Sequence, residues 1–152
     1  MTVFLLCALF FFLAISLTLM GSGVYRSVAA ASEKQYTLRT ALSYLTNQVR
    51  AGDTQGALYL STFGDGDALL RLETDADGFS YDTRLYVYDG WLRELYKPSD
   101  LELLPEDGTP ILELSALEIE PQENCLLFTI TDPDGQTAQI SVAPRCGWEG
   151  IS

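Results

Sequence analysis

An uncharged apolar run near the N-terminus constrains this chain more than any other feature of its sequence. Val3 to Val24 contains no charged side chain. As a helix, these 22 residues would be roughly 33 Å long, about the thickness of the hydrocarbon core of a bilayer. The run therefore predicts a transmembrane helix over residues 1–25, with Val3 and Val24 as the ends of the span.

Two other interpretations of the run are open. A cleaved signal peptide is one, since Ala29 to Ala31 offer the small residues of a cut site. However, no Lys or Arg precedes the run, and it is longer than the 7–15 apolar residues typical of such signals. A buried helix of a soluble domain is the other, and 22 uncharged residues exceed what most cores cover. An uncleaved membrane helix is favoured over both.

A second helical pattern follows the run, and no proline interrupts the sequence before Pro98. Gly52 stands where a C-cap glycine belongs, with Arg50 in the last turn. The pattern predicts an amphipathic stem helix over residues 26–52 that packs its apolar stripe on the sheet of its own domain. The stripe at helical spacing comprises Leu38, Leu42, Leu45 and Val49.

Beyond residue 52 the apolar period changes from 3.6 to 2, which predicts strands separated by Gly-, Asp- and Pro-containing turns. We expect an α+β fold: a long N-terminal helix, transmembrane and then amphipathic, followed by an antiparallel β-sheet built of hairpins. Residues 53–152 form the acidic β domain, and Asp132 to Gly135 reads as a type I turn between its last two strands.

The clearest hairpin signal is Asp89-Gly90 between two alternating runs. A two-residue turn there places Tyr88 opposite Trp91 and Tyr86 opposite Arg93. Tyr, Trp and Arg are enriched at binding hot spots. This face is therefore a candidate partner surface, and the alternative is that a helix or loop covers it and makes it core. The candidate surface comprises Tyr86, Tyr88, Trp91 and Arg93.

The charge of the chain is divided between its two parts. Residues 1–52 carry four basic side chains and one acidic, whereas residues 53–152 carry five basic and 20 acidic, a net of +3 and −15. An acidic domain repels phosphate backbones, so we expect no nucleic acid to bind through it. The basic residues after the run would place this domain in the cytoplasm by the positive-inside rule, although long domains translocate largely regardless of charge.

The sequence offers little catalytic or metal-binding chemistry. It contains no histidine, which excludes histidine-based triads and zinc sites with histidine ligands. Residues 73–84 match the start of a calcium loop, but Arg84 stands at the twelfth position, where a bidentate glutamate belongs. We therefore expect no enzyme activity, no small-molecule substrate, no cofactor and no metal. A membrane-tethered enzyme that uses paired carboxylates is the remaining catalytic alternative.

Cys125 and Cys146 flank the last predicted hairpin and are a possible disulfide pair. Because Cys125 falls opposite about Ala143, the chain after Pro144 would have to fold back for the two thiols to meet. Such a bond is expected only outside the cytoplasm.

The layout of helix, stem and hairpin sheet resembles a type IV pilin or pseudopilin. The segments "GVYRS", "LRTALSYLTNQVR", "RLYVYDGWLREL" and "TAQISVAPR" are similar to an uncharacterised family of pilin-like membrane proteins of Gram-positive bacteria. In pilins the apolar helix packs in a filament core and the sheet faces outward. The resemblance thus implies a single-pass protein of the cell membrane with an extracytoplasmic acidic domain.

The function implied by the resemblance is that of a non-catalytic minor pilin or pseudopilin subunit of a type IV pilus, secretion or competence apparatus. Its partners would be the lipid bilayer and other pilin-like subunits or membrane apparatus proteins. Pilins usually carry a glycine-ended basic leader and a glutamate five residues into the mature helix, and this chain has no charge before Arg26. That departure favours a low-copy tip or accessory subunit. The alternative is a free-standing membrane-anchored binding or sensor domain that joins no filament.

Overall fold

The first element of the computed structural model is a single helix, α1 (Thr2–Ala51). The structure describes residues 1–150, with side chains described for residues 1–13, 15–16 and 36–149. The chain divides into two units, Met1–Tyr36 and Thr37–Ser152, and each is treated separately. In the first unit, the side chains of residues 3–13 are apolar and exposed.

The second unit contains the last turns of α1, nine strands in its described part and one short 3-10 helix. The 3-10 helix is Pro105–Asp107. The strands are β1 (Leu58–Phe63), β2 (Gly66–Thr74), β3 (Ser80–Tyr88), β4 (Trp91–Pro98), β5 (Thr109–Glu113), β6 (Ala116–Pro121), β7 (Leu126–Thr131), β8 (Thr137–Val142) and β9 (Glu149–Gly150).

These strands form two sheets. The first has the order β5-β4-β3-β2-β1-β9, and the second has the order β6-β7-β8. Neighbouring strands are antiparallel, with the exception of β1 and β9, which pair in parallel through Tyr59 with Glu149 and Leu60 with Gly150. The outer strand β5 carries Pro110 and pairs with β4 across a register shift between Leu92 and Arg93.

One apolar core lies among the stem portion of α1 and both sheets. Leu38, Leu45 and Val49 are buried in it, and Leu42 packs against it half-buried. The same cluster includes buried side chains from both sheets. The first sheet contributes Leu69, Leu85, Val87 and Leu92, and the second contributes Leu117, Ile119, Leu126, Phe128, Ile130 and Val142. The predicted packing stripe therefore lies in the core that joins helix and sheets.

A polar network at the edge of this core also connects α1 to the first sheet. Gln48 donates from Nε2 to Glu94 Oε1 at 3.0 Å, and its Oε1 accepts from Arg71 Nη1 at 3.0 Å. Arg71 donates further to Thr83 at 3.3 Å. Burial raises the pKa of the Tyr44 hydroxyl beside this network, and its hydrogen bond with Glu94 raises it further.

The predicted fold class is wrong about the transmembrane helix. Within the residues that the structure describes, no helix combines the length and apolar character needed to cross a membrane. Val3 is an exposed residue of α1, and the side chain of Val24 lies outside the described residues.

The predicted sheet also needs correction. Consecutive hairpins were expected to form one antiparallel sheet, but the strands divide into two sheets, one of which ends in a parallel pair. The division follows from the core, because a second sheet can cover apolar side chains of the first.

We expect Leu45→Ala to lower the free energy of unfolding by about 2–5 kcal/mol, because it leaves a cavity in the packed core. Urea unfolding of the full chain in a nonionic detergent, followed by circular dichroism, measures the change. Leu101→Ala is the matched control, since Leu101 is largely exposed. Equal midpoints for the two variants would contradict this account of the core.

Candidate functional site

The β3–β4 hairpin has the predicted register. Tyr88 pairs with Trp91, Val87 with Leu92, and Tyr86 with Arg93. Asp89 and Gly90 have φ angles of 52° and 73°, which is the left-handed backbone of a type I′ turn. Leu85, Val87 and Leu92 face the main core, so the aromatic face, defined as Tyr86, Tyr88, Trp91 and Arg93, lies on the opposite side of the first sheet.

The structure places Tyr86 in the interior, and this residue of the candidate partner surface is therefore corrected to core. Tyr86 is 0% exposed, and its hydroxyl donates to the carbonyl oxygen of Pro105 at 2.7 Å. The Phe63 ring meets it edge-on, with centroids 4.7 Å apart. Burial raises the pKa of the Tyr86 hydroxyl. A side chain enclosed in this way cannot contact a partner.

The segment that encloses Tyr86 is residues 99–108, here termed the cover loop. Arg93 holds it in place: its Nη1 donates to the carbonyl oxygens of Glu106 at 3.1 Å and Gly108 at 3.0 Å. The same guanidinium donates from Nε to the Tyr88 carbonyl and lies 5.6 Å from the centroid of the Tyr88 ring. Arg93 thus has a structural role: it binds the cover loop to the β3–β4 hairpin.

The part of the aromatic face that is open to solvent is small. Trp91 is 37% exposed, and Tyr88 is half-buried. A specific protein interface buries roughly 800 Å² on each partner. One partly exposed indole supplies a fraction of that area, so the aromatic face alone does not make an interface.

A buried ion pair lies on the same side of the first sheet. Asp82 pairs in register with Lys97, and the Lys97 Nζ atom is 3.0 Å from the Asp82 carboxylate. The Ser99 hydroxyl donates a hydrogen bond to the same carboxylate. Arg84 lies 3.5 Å from the same carboxylate. Burial by itself would raise the pKa of Asp82, but the bonds from Ser99 and Lys97 and the two nearby cations outweigh burial, so the pKa is lowered.

A cleft missed by the sequence reasoning lies where α1 ends. Its volume is about 990 Å³. It is lined by the end of α1, the loop before β1, the C-terminal ends of β2 and β4, and the N-terminal end of β3. Its clearest feature is the pair Tyr81 and Tyr96, whose rings are stacked with centroids 5.4 Å apart and planes 9° apart. We call this cleft the tyrosine cleft. The alternation of side chains along a strand could have indicated that the two tyrosines share a face, since Tyr81 and Tyr96 fall on the helix-facing side of β3 and β4.

Cys125 and Cys146, the possible disulfide pair, are free thiols in the structure. Cys125 donates from Sγ to Gln122 Oε1 at 3.3 Å, whereas the Cys146 N–H donates to Asp53 Oδ1 at 2.9 Å. Backbone donors of Arg145 and Cys146 lower the pKa of the Asp53 carboxyl. Asp53 therefore holds the C-terminal segment that leads into β9.

The turn that matched the start of a calcium loop is fixed by its own hydrogen bonds. The Oδ1 atom of Asp75 accepts from the N–H groups of Asp77 at 3.0 Å and Phe79 at 2.8 Å. Across the residues with described side chains, no group of three histidine, cysteine, aspartate or glutamate residues is placed to hold a metal ion.

Comparison with known protein families identifies the family of this chain. The family model described as "Domain of unknown function (DUF4860)" matches residues 36–133. The chain belongs to this family. No curated protein and no solved structure matched it. The DUF4860 range contains the aromatic face, the cover loop, the Asp82 ion pair and the tyrosine cleft, whereas the exposed apolar residues 3–13 and Cys146 lie outside it.

We expect Gly108→Ala to lower the free energy of unfolding by about 1–3 kcal/mol, because its new methyl group would collide with the Tyr86 hydroxyl. Tyr86→Phe in the same chain removes the colliding oxygen, so the double variant should lose less than the sum of the single variants. A double-mutant cycle from urea unfolding measures this coupling. Strict additivity would contradict the proposed contact.

We expect Asp82→Asn to destabilise the fold by about 3–5 kcal/mol near neutral pH, because Lys97 would stay buried without its counter-charge. The lowered folded-state pKa of Asp82 stabilises the fold above its unfolded pKa of about 3.9, and this contribution is lost as pH falls through the folded-state value. The stability difference from wild type should therefore shrink in acid. Asp100→Asn, at an exposed position, is the control, and a difference independent of pH would contradict the assignment.

Proposed function

We propose that this DUF4860 protein is a non-catalytic, pilin-like structural subunit that assembles with other pilin-like subunits through residues 3–13 of α1. The observation that carries the proposal is the exposure of that segment. Large apolar side chains are exposed on every side of it, and it carries no charge. Exposed apolar surfaces of this extent mark a place where another molecule binds.

The physical argument concerns what can cover such a segment. A helix that is apolar all round is stable when it is enclosed by other apolar groups. Each large side chain that passes from water into such surroundings contributes about 1.5–3 kcal/mol. The exposed residues include Val3, Phe4, Leu5, Leu6, Leu9, Phe10, Phe11, Phe12 and Leu13. Their burial among similar helices would supply a large driving force for assembly.

The choice of partner rests on the resemblance to pilins, in which apolar helices pack against one another in the filament core. The charge of the acidic β domain favours a position away from the contacts between subunits. Its net charge of −15 makes copies of it repel one another at close range, and this repulsion favours contact through the uncharged helix. The same charge supports the expectation that no nucleic acid binds there.

The non-catalytic part of the proposal rests on how the carboxylates are used. Asp82, which is buried, is held by Lys97, Ser99 and Arg84. Asp75 holds a turn through backbone donors, and Asp53 holds the C-terminal segment. Each of these carboxylates has a structural role, and the sequence contains no histidine to act beside one as a base.

Site-specific photocrosslinking in the producing cells tests the proposal. A benzophenone analogue of phenylalanine replaces Phe10, which is 69% exposed in the apolar segment, or Phe79, which is 65% exposed at the β2–β3 turn. We expect the probe at position 10, but not the one at position 79, to link the chain to other pilin-like subunits. Mass spectrometry of the crosslinked bands identifies the partners.

A charge substitution supplies the second arm of this experiment. Leu13→Glu should abolish the crosslinks from position 10, because a carboxylate in the apolar contact is costly to desolvate. Leu101→Glu, at an exposed position of the second unit, should leave them unchanged. A folded, abundant protein that forms no crosslink to pilin-like subunits from position 10 would overturn the proposal and favour the free-standing binding domain.

A further inference from the structure

The tyrosine cleft has the size of a small-molecule site, and a stacked aromatic pair forms part of its lining. We infer that it binds an organic cation through an ammonium group placed against the stacked rings of Tyr81 and Tyr96. Tyr96 is 58% exposed, although Leu92, four residues earlier on the same face of β4, is fully buried. The sheet thus extends past the end of α1 and leaves an aromatic platform uncovered.

The ring faces of the platform favour a cation. The face of a tyrosine ring is negative, and an ammonium group within about 6 Å of the centroid is attracted to it. Because Tyr81 and Tyr96 are parallel and in contact, each fixes the orientation of the other. The platform is therefore formed before a ligand arrives, which lowers the entropy lost on binding.

The electrostatic surroundings favour the same charge. The described residues that line the cleft include two carboxylates, Glu73 and Asp75, and no lysine or arginine. Glu73 Oε1 is 2.9 Å from Arg71, so its charge is partly balanced, whereas Asp75 is held in a fixed position by its turn. The C-terminal end of α1, at Ala51, adds the partial negative charge of a helix terminus to the rim.

The size and polar lining define the class of ligand further. A volume of about 990 Å³ is at the upper end of small-molecule sites. Hydroxyl and amide groups of Thr54, Gln55, Thr74 and Ser80 also line it and can bond to the polar remainder of a ligand. A small amino alcohol, or a larger molecule that ends in such a group, fits this combination.

Titration of the full chain with choline tests the inference, with binding followed by calorimetry in a maltoside detergent that carries no charge. We expect choline to bind at least tenfold more tightly than 3,3-dimethylbutan-1-ol, its neutral isostere with carbon in place of nitrogen. Ethanolamine forms a third arm, which separates preference for a primary ammonium from preference for a quaternary one. Saturable binding of either cation supports the inference.

Variants then locate the site. Tyr96→Leu should weaken binding of the cation at least tenfold, whereas Tyr96→Phe, which keeps the ring, should stay within about threefold of wild type. Trp91→Leu removes an aromatic ring at the other end of β4 and should leave binding unchanged. Urea midpoints show whether each variant is folded.

Two results would overturn the inference. One is equal affinity for choline and the neutral isostere, because the site would then recognise shape and apolar surface alone. The other is the absence of binding by either cation to a folded chain. Both results leave the crosslinks from position 10 untouched, so the inference and the proposed assembly function fail separately.

Discussion

The contact between the stem portion of α1 and the two sheets is the interaction on which the rest of the second unit depends. Leu38, Leu45 and Val49 lie in one apolar cluster with side chains from both sheets. Without the helix, the inner faces of the sheets would lose a shared cover. The place where the helix ends then decides where the first sheet is left open, and the tyrosine cleft lies at that point.

Much of the second unit could be predicted from local patterns. The period of 3.6 in the stem indicated the buried stripe, and Asp89-Gly90 indicated the hairpin register, because both depend on residues close in sequence. A cover over Tyr86 was one of two alternatives, and the sequence could not decide between them, since the cover loop meets the hairpin through carbonyl oxygens that no side-chain pattern marks. Gly52 follows the last residue of α1, as expected, and it also has a role that was not expected. An added methyl group would meet Arg71 and Leu58 at 2.7 Å, so a helix cap does not by itself explain this glycine.

The candidate sites also depend both on residue types, which the sequence shows, and on contacts between distant segments, which it does not. The aromatic residue types on β3 and β4 predicted either a partner surface or covered core, because residue type does not reveal whether a surface is covered. Arg93 holds the cover loop, and Tyr86 lies beneath it. The uncovered aromatic pair, Tyr81 and Tyr96, lies on the opposite face of the same two strands. Its exposure depends on the length of α1 relative to the sheet, which is a property of the whole domain.

The two outer strands of the first sheet bear on how copies of this chain can join. An unpaired strand edge is a template for end-on sheet growth between molecules. Here one edge is the two-residue strand β9, and the other is β5, where Pro110 lacks an N–H group to donate. Within the described residues, neither edge of this sheet offers a long row of unpaired backbone groups to a second copy. Growth of polymers by strand addition at these two edges of the first sheet is therefore disfavoured.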